Sequence, residues 1–165
     1  MNPTTPTYFW EDFTPGRVFD LGITEPVGRD AIVDFARQFD PQPFHLDEEA
    51  ARTGLFGALA ASGWHTAAMV MRRMCDGYLN DSASLGSPGI ENLKWLKPVY
   101  VGDALHIVMK VHESRASQSR PTIGLVRSVW EVRNQRDEPV MTMEGWGMFR
   151  RRTPGPVADS APPAG

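Results

Sequence analysis

The chain has 165 residues, of which 41% are hydrophobic and 22% charged, the balance of a soluble globular domain and not of a disordered chain. Its single cysteine, Cys75, excludes an internal disulfide, and it holds no apolar run of the roughly 18 residues a membrane span needs. The net charge of −3 gives no general attraction to nucleic acid, although it conceals 14 Arg against 3 Lys. The first ten residues lack a basic stretch followed by an apolar one, so no signal peptide is expected and a reducing, cytoplasmic setting is the default.

One domain is expected over residues 8–152, with flexible tails at 1–7 and 153–165, where Pro, Thr, Ala and Gly prevail and little apolar surface can be buried. Thr24-Glu25 before Pro26 reads as the end of a short strand. From Asp30 to Phe39 the apolar residues Ile32, Phe35, Ala36 and Phe39 fall at helical spacing. Pro41 and Pro43 end that helix and predict an extended loop. Asp47 suits the cap of a second short helix, with Glu48 and Glu49 in its first turn and Gly54 and Gly57 closing it.

A longer helix of about 17 residues is predicted to start at Ser62-Gly63, with Trp64, Ala67, Ala68, Met71, Cys75 and Tyr78 as its apolar stripe. Strands are predicted at Ile90–Leu96, Ala104–Glu113, Thr122–Arg133 and Val140–Phe149, the last two joined by the polar loop Asn134–Pro139. A long helix followed by successive antiparallel strands is an α+β pattern, with the sheet expected to wrap around the helix. A small sheet covered on one face leaves edges that invite pairing with a second copy.

Asp40 and His45 flank Pro41 and Pro43, which stiffen the backbone between them. A carboxylate and an imidazole held on one rigid turn can share a water molecule: the imidazole carries the proton and the carboxylate orients ring or water. The spacing alone favours a surface loop whose Asp and His merely flank helices, since an Asp and a His five positions apart are a weak signal. A metal triad of Asp40, His45 and Asp47 is disfavoured, because no second histidine stands at ligand spacing. Phosphate-cradling glycine loops of the GxGxxG or GxxxxGK[ST] type are absent.

The segment Phe39-Asp40-Pro41-Gln42-Pro43-Phe44-His45-Leu46-Asp47 resembles the hydratase motif of the MaoC-like dehydratases, the (R)-specific enoyl-CoA hydratases of the hotdog fold. Ala61-Ser62-Gly63-Trp64 resembles that family's start of the central helix. The stretch from Gly89 through Pro98-Val99 to Gly102-Asp103 resembles its strand-and-turn signature. The resemblance implies a hotdog fold, with an antiparallel sheet wrapped around a long central helix. It implies Asp40 and His45 as the catalytic pair and the Gly63 backbone N–H as holder of the thioester oxygen. Gln42, Pro43, Ser62 and Trp64 are then the expected substrate contacts. Gln42 replaces the family's usual Asn, Phe39 its Gly, and Ser62 its His.

The implied activity is reversible hydration of a trans-2-enoyl-CoA to a 3-hydroxyacyl-CoA, within fatty acid metabolism, by a homodimer. It calls for no metal, flavin or nicotinamide and for no membrane or nucleic-acid partner. An acyl-CoA thioesterase and a non-catalytic acyl-thioester-binding homodimer are the alternatives on the same fold. Outside the motif, His65 reads as a structural or interface residue and His106 and His112 as solvent-facing. Trp64, Met69, Met71 and Met74 suit either core packing or an acyl channel, whereas Trp95, Trp130 and Trp146 read as sheet packing. Arg150-Arg151-Arg152 suit either coenzyme A phosphates or a solvated strand end.

Overall fold

Five antiparallel strands, in the spatial order β1-β3-β4-β5-β2, form a single sheet in the computed structural model, which describes residues 5–155. They are β1 Val18–Ile23, β2 Gly89–Trp95, β3 Leu105–Ala116, β4 Ile123–Asn134 and β5 Pro139–Arg150. Residues 1–4 and 156–165, where much of the expected tails falls, lie outside the described residues. The alternation read from the sequence sets the sheet's inner face. Leu105, Ile107, Met109 and Val111 of β3, Val126, Trp130 and Val132 of β4, and Met141 and Met143 of β5 are all buried. Register aligns Met109 with Trp130 and Trp130 with Met143, one continuous row across three strands. Burying each such side chain contributes about 1.5–3 kcal/mol, so these three strands carry much of the core.

The helices cover that face. They are α1 Arg29–Phe39, α2 Pro43–Leu46, α3 Glu48–Thr53 and α4 Gly63–Met74, and α4 continues into a π-helical turn at Cys75–Leu79. Together α4 and the π turn span the 17 residues expected of the long helix. Its buried stripe differs from the predicted one. Thr66, Val70, Met74 and Tyr78 face inward at successive i+4 positions, whereas Trp64 and Met71 are 59% and 47% exposed and Ala68 is exposed. Periodicity sees two apolar faces on this helix and cannot tell which one the sheet covers. Trp64 instead leans edge-on against Trp95 of β2, with ring centroids 5.2 Å apart.

The loop after α1 also departs from expectation. It is extended only as far as Gln42, and Pro43 then opens the one-turn helix α2, where its missing N–H costs nothing and its fixed φ suits the helix. Asp47 caps α3 as predicted, accepting from the Ala50 N–H at 2.8 Å. In the turn before β3, Gly102 adopts φ +87°, a left-handed conformation open to glycine at little cost. The adjacent Asp103 carboxylate is buried there and accepts from Tyr100 N–H at 2.9 Å and Gln135 Nε2 at 2.7 Å.

The two ends of the described chain meet. Arg152 pairs with Asp12 at 2.7 Å, and its backbone N–H bonds to Glu11 at 3.0 Å, while the Arg151 guanidinium lies 5.0 Å from the Trp10 ring centroid. Two of the three terminal arginines are thus engaged within the fold. Thr7 N–H bonds to Asp81 C=O at 2.7 Å and Gly155 N–H to Pro121 C=O at 2.9 Å.

Candidate active site

Three local structures bring Asp40, His45 and Ser62 together. Asp40 ends α1, its N–H bonded to Ala36 C=O. His45 sits in α2, two positions after Pro43 has started that turn. Ser62 caps α4, accepting from the Trp64 N–H at 3.2 Å. The Asp40 and His45 side chains meet with Oδ2 and Nε2 3.5 Å apart, 17% and 6% exposed.

Both oxygens of Asp40 are held. Ser62 Oγ donates to Oδ2 at 2.6 Å and Gln42 Nε2 to Oδ1 at 2.7 Å. Burial works against the charged carboxylate, but these two hydrogen bonds and the nearby His45 outweigh it, and Asp40 is held below the ordinary carboxylate range. Asp40 is therefore anionic near neutral pH.

His45 is oriented from its other side. Its Nδ1 lies 2.7 Å from the Ala60 carbonyl oxygen. A carbonyl can only accept, so Nδ1 carries a proton, and Nε2 is the ring atom turned toward Asp40. Phe44 meets the ring edge-on at 4.6 Å and Phe56 stacks along it at 5.9 Å, fixing its plane. The backbone contact from Ala60 has no signature in the sequence, since the short α2 is what brings it into reach.

A cavity of about 240 Å³ opens beside the pair, lined by His45, Phe56, Gly63, Thr66, Trp95 and Val99 among others. Gly63 is the first residue of α4, so its N–H belongs to the helix's unpaired first turn, where the dipole favours negative charge. A Cβ at Gly63 would lie 2.5 Å from the Trp95 ring, and Trp95 Nε1 donates to the Gly63 C=O at 2.8 Å. Trp95, assigned to sheet packing by its sequence context, therefore covers the glycine of this site.

The remaining expected contacts divide. Gln42 and Ser62 spend their polar groups on Asp40, Pro43 shapes α2, and Trp64 stands exposed against Trp95. Asp47 is committed to its cap, and among the described residues no three His, Cys, Asp or Glu side chains gather as a metal-holding group. His65 is buried and stacks on Phe35 at 4.7 Å. His106 faces outward and pairs with Asp20 at 2.9 Å.

A sheet laid over one long helix, with an acid and an imidazole converging beside that helix's first residue, defines a hotdog-fold protein. The model of the MaoC-like domain matches residues 12–131, and the chain belongs to the MaoC-like dehydratase family. A crystal structure of a MaoC-like dehydratase from Rhodospirillum rubrum is 43% identical, with a TM-score of 0.81 over 88% of this chain and 99% of that one. An Archaeoglobus fulgidus protein described as a monoamine oxidase regulatory protein is 25% identical, with a TM-score of 0.78 over 93% of this chain and all of the other. The uncharacterized YdeM of Bacillus subtilis is 30% identical over 135 residues, 81% of this chain and 93% of its own length. Among the described residues no helix is long and apolar enough to cross a membrane.

Proposed function

We propose that this protein is a hydro-lyase that adds water reversibly across the 2,3 double bond of a trans-2-enoyl-CoA, giving a 3-hydroxyacyl-CoA. The observation that carries this reading is the 3.5 Å approach of His45 Nε2 to Asp40 Oδ2 beside the start of α4. The description of the R. rubrum relative as a dehydratase agrees with it.

In this reading the thioester oxygen accepts from the Gly63 N–H, where the helix start stabilises the charge that gathers on it as the enolate forms. A water between the two side chains donates one proton toward His45 Nε2 and a hydrogen bond toward Asp40. As its oxygen bonds to Cβ, His45 takes that proton, and the π electrons move toward the thioester. His45 then returns a proton to Cα. One water is consumed, its OH on Cβ and its H on Cα, and both side chains end as they began. Asp40 steadies the transient imidazolium, which its anionic state suits. Dehydration runs through the same steps in reverse.

A second copy is part of this proposal. Among the described residues strand β2 pairs only with β5, and Trp64, Ile90, Trp95 and Leu96 are 45–59% exposed. An edge strand with exposed apolar side chains on and beside it suits a homodimer that extends the sheet across two chains.

The test is a panel of enoyl-CoA substrates followed by loss of the conjugated-thioester absorbance, with Asp40→Asn and His45→Ala alongside. Turnover to a 3-hydroxyacyl-CoA that drops at least about 100-fold in each variant supports the assignment. Release of free thiol would instead identify a thioesterase. Unchanged turnover in both variants would remove these residues from the mechanism.

A further inference from the structure

A second cavity, of about 290 Å³, lies between α4 and the inner face of the sheet. Most of its wall is apolar and includes Met71, Met74, Met109, Met143 and Phe149. Polar side chains interrupt that wall, Ser84, Ser87 and Trp146 among them, and three are deeply buried: Tyr78, carried in by the π turn, and Ser128 and Trp130 of β4. Ser128 and Trp130 are two residues apart on one strand and so face the same way. Tyr78, Ser128 and Trp130 are 3%, 4% and 5% exposed.

The polar trio is underused by the fold. The buried Trp130 indole N–H has no partner of good hydrogen-bond geometry, and the Tyr78 hydroxyl offers it only a weak one. An unpaired buried donor costs about 1–3 kcal/mol, and a wholly apolar ring at that position would carry no such cost. Interruption of an α-helix by a π turn is itself frequent at functional sites, and here the interruption delivers Tyr78 to the cavity.

The lining also sets a limit on charge. Among the described residues no Arg, Lys or His lines this cavity, so a carboxylate entering it would lie buried without a counter-charge. Ala67 and Met71, which line the cavity, follow Gly63 on the same helix. At 1.5 Å per residue, Met71 lies about 12 Å along the axis from Gly63.

We infer that this cavity holds the distal part of the acyl chain and selects chains carrying a neutral oxygen, as hydroxyl, ether or ketone, several carbons from the thioester. The oxygen accepts from the Trp130 N–H and meets the Tyr78 and Ser128 hydroxyls, while the methionines fit the carbons on either side. This inference rests on the enoyl-thioester reading for the end of the substrate held at Gly63.

The experiment compares two trans-2-enoyl-CoA substrates of equal chain length, one with a distal ether oxygen and one with a methylene in its place. The parent protein is run beside Trp130→Phe and Tyr78→Phe. Tyr78→Phe keeps its ring, Trp130→Phe keeps an aromatic though smaller one, and the ratio of kcat/KM for the two substrates within one protein cancels any general damage to folding. The parent is expected to favour the ether substrate at least about tenfold, and each variant to bring the ratio to within about twofold of unity. A parent that prefers the all-carbon chain, or a preference that persists in both variants, overturns the inference. Binding of the saturated ether and alkyl acyl-CoAs is measured in parallel. A tenfold preference in Kd without turnover would uphold the cavity assignment while removing the hydro-lyase reading, and equal Kd values would overturn the cavity assignment.

Discussion

Ser62 Oγ donates to Asp40 Oδ2 at 2.6 Å and accepts from Trp64 N–H at 3.2 Å. One buried hydroxyl thus caps the central helix and positions the carboxylate of the candidate pair. Ser62→Ala should separate the two roles by size. Loss of the cap is worth about 1 kcal/mol of stability. Loss of the donor leaves Asp40 free to swing, and a misplacement of about 1 Å can cost roughly 100-fold in rate. Thermal melts and kcat on the enoyl-CoA that the parent turns over are the two measurements. A fall in kcat no larger than the stability loss explains would deny Ser62 its positioning role.

The same hydrogen bonds govern how the site responds to acid. Asp40 is held low chiefly by Ser62 and Gln42, acting against burial, so replacing either donor should let its carboxyl rise. In Ser62→Ala and Gln42→Leu the acid limb of the pH–rate profile should move to higher pH than in the parent, by more in the double variant than in either single one. An unmoved limb would mean that another group sets it.

His65 predicts a stability effect of its own. Burial pushes its pKa below the ordinary histidine value of 6.5, so between that value and the folded one the unfolded chain binds more protons than the native protein. Stability is therefore complete above about pH 6.5, falls as pH drops toward the folded value, and levels off below it, by at most about 1.4 kcal/mol per pH unit. His65→Phe keeps a ring against Phe35 and should flatten this slope. Urea unfolding between pH 5 and pH 7 decides it, and an identical slope in both proteins would assign the effect elsewhere.

Gly63→Ala should act through Trp95. The added methyl falls within the indole's space, and because Trp95 is 45% exposed the ring can leave, breaking its bond to the Gly63 carbonyl. Tryptophan fluorescence should shift to longer wavelength and turnover should fall, while stability drops by no more than about 1–3 kcal/mol. An unaltered emission spectrum would show that the ring stays and the backbone gives way.

The edge of β2 makes a prediction about mass. Sedimentation equilibrium should give the parent protein twice the mass of one chain, and Ile90→Asp with Leu96→Asp should shift it toward a single chain at micromolar concentration. A monomeric parent would exclude the second copy from the proposed function.

Much of this was legible in the residues because each signal was local. Alternation in Leu105–Val111 and in Val126–Val132 marks strands and Asp47 marks a cap, whereas Asp40 and His45 across two prolines stand out only through the family motif they resemble. The contributions of Ala60 and Trp95 were not legible. A backbone carbonyl has no residue-type signature, and Trp95 reaches Gly63 only because β2 lies beside α4 in three dimensions. The displaced stripe of α4 has a related cause: Trp64 and Met71 are as apolar as Val70 and Met74, and only the position of the sheet distinguishes them. Pro43 shows the converse, since proline ends one helix and begins the next, and composition does not say which.

The contact between Arg152 and Asp12 spans 140 positions of sequence. It therefore cannot form until β5 and Arg152 have left the ribosome, so the opening turn at Trp10–Asp12 lacks this pairing while the strands are being made. Contacts of such long range slow folding. A chain cut short just after Arg150 would keep all five strands and lose the latch that holds its own beginning.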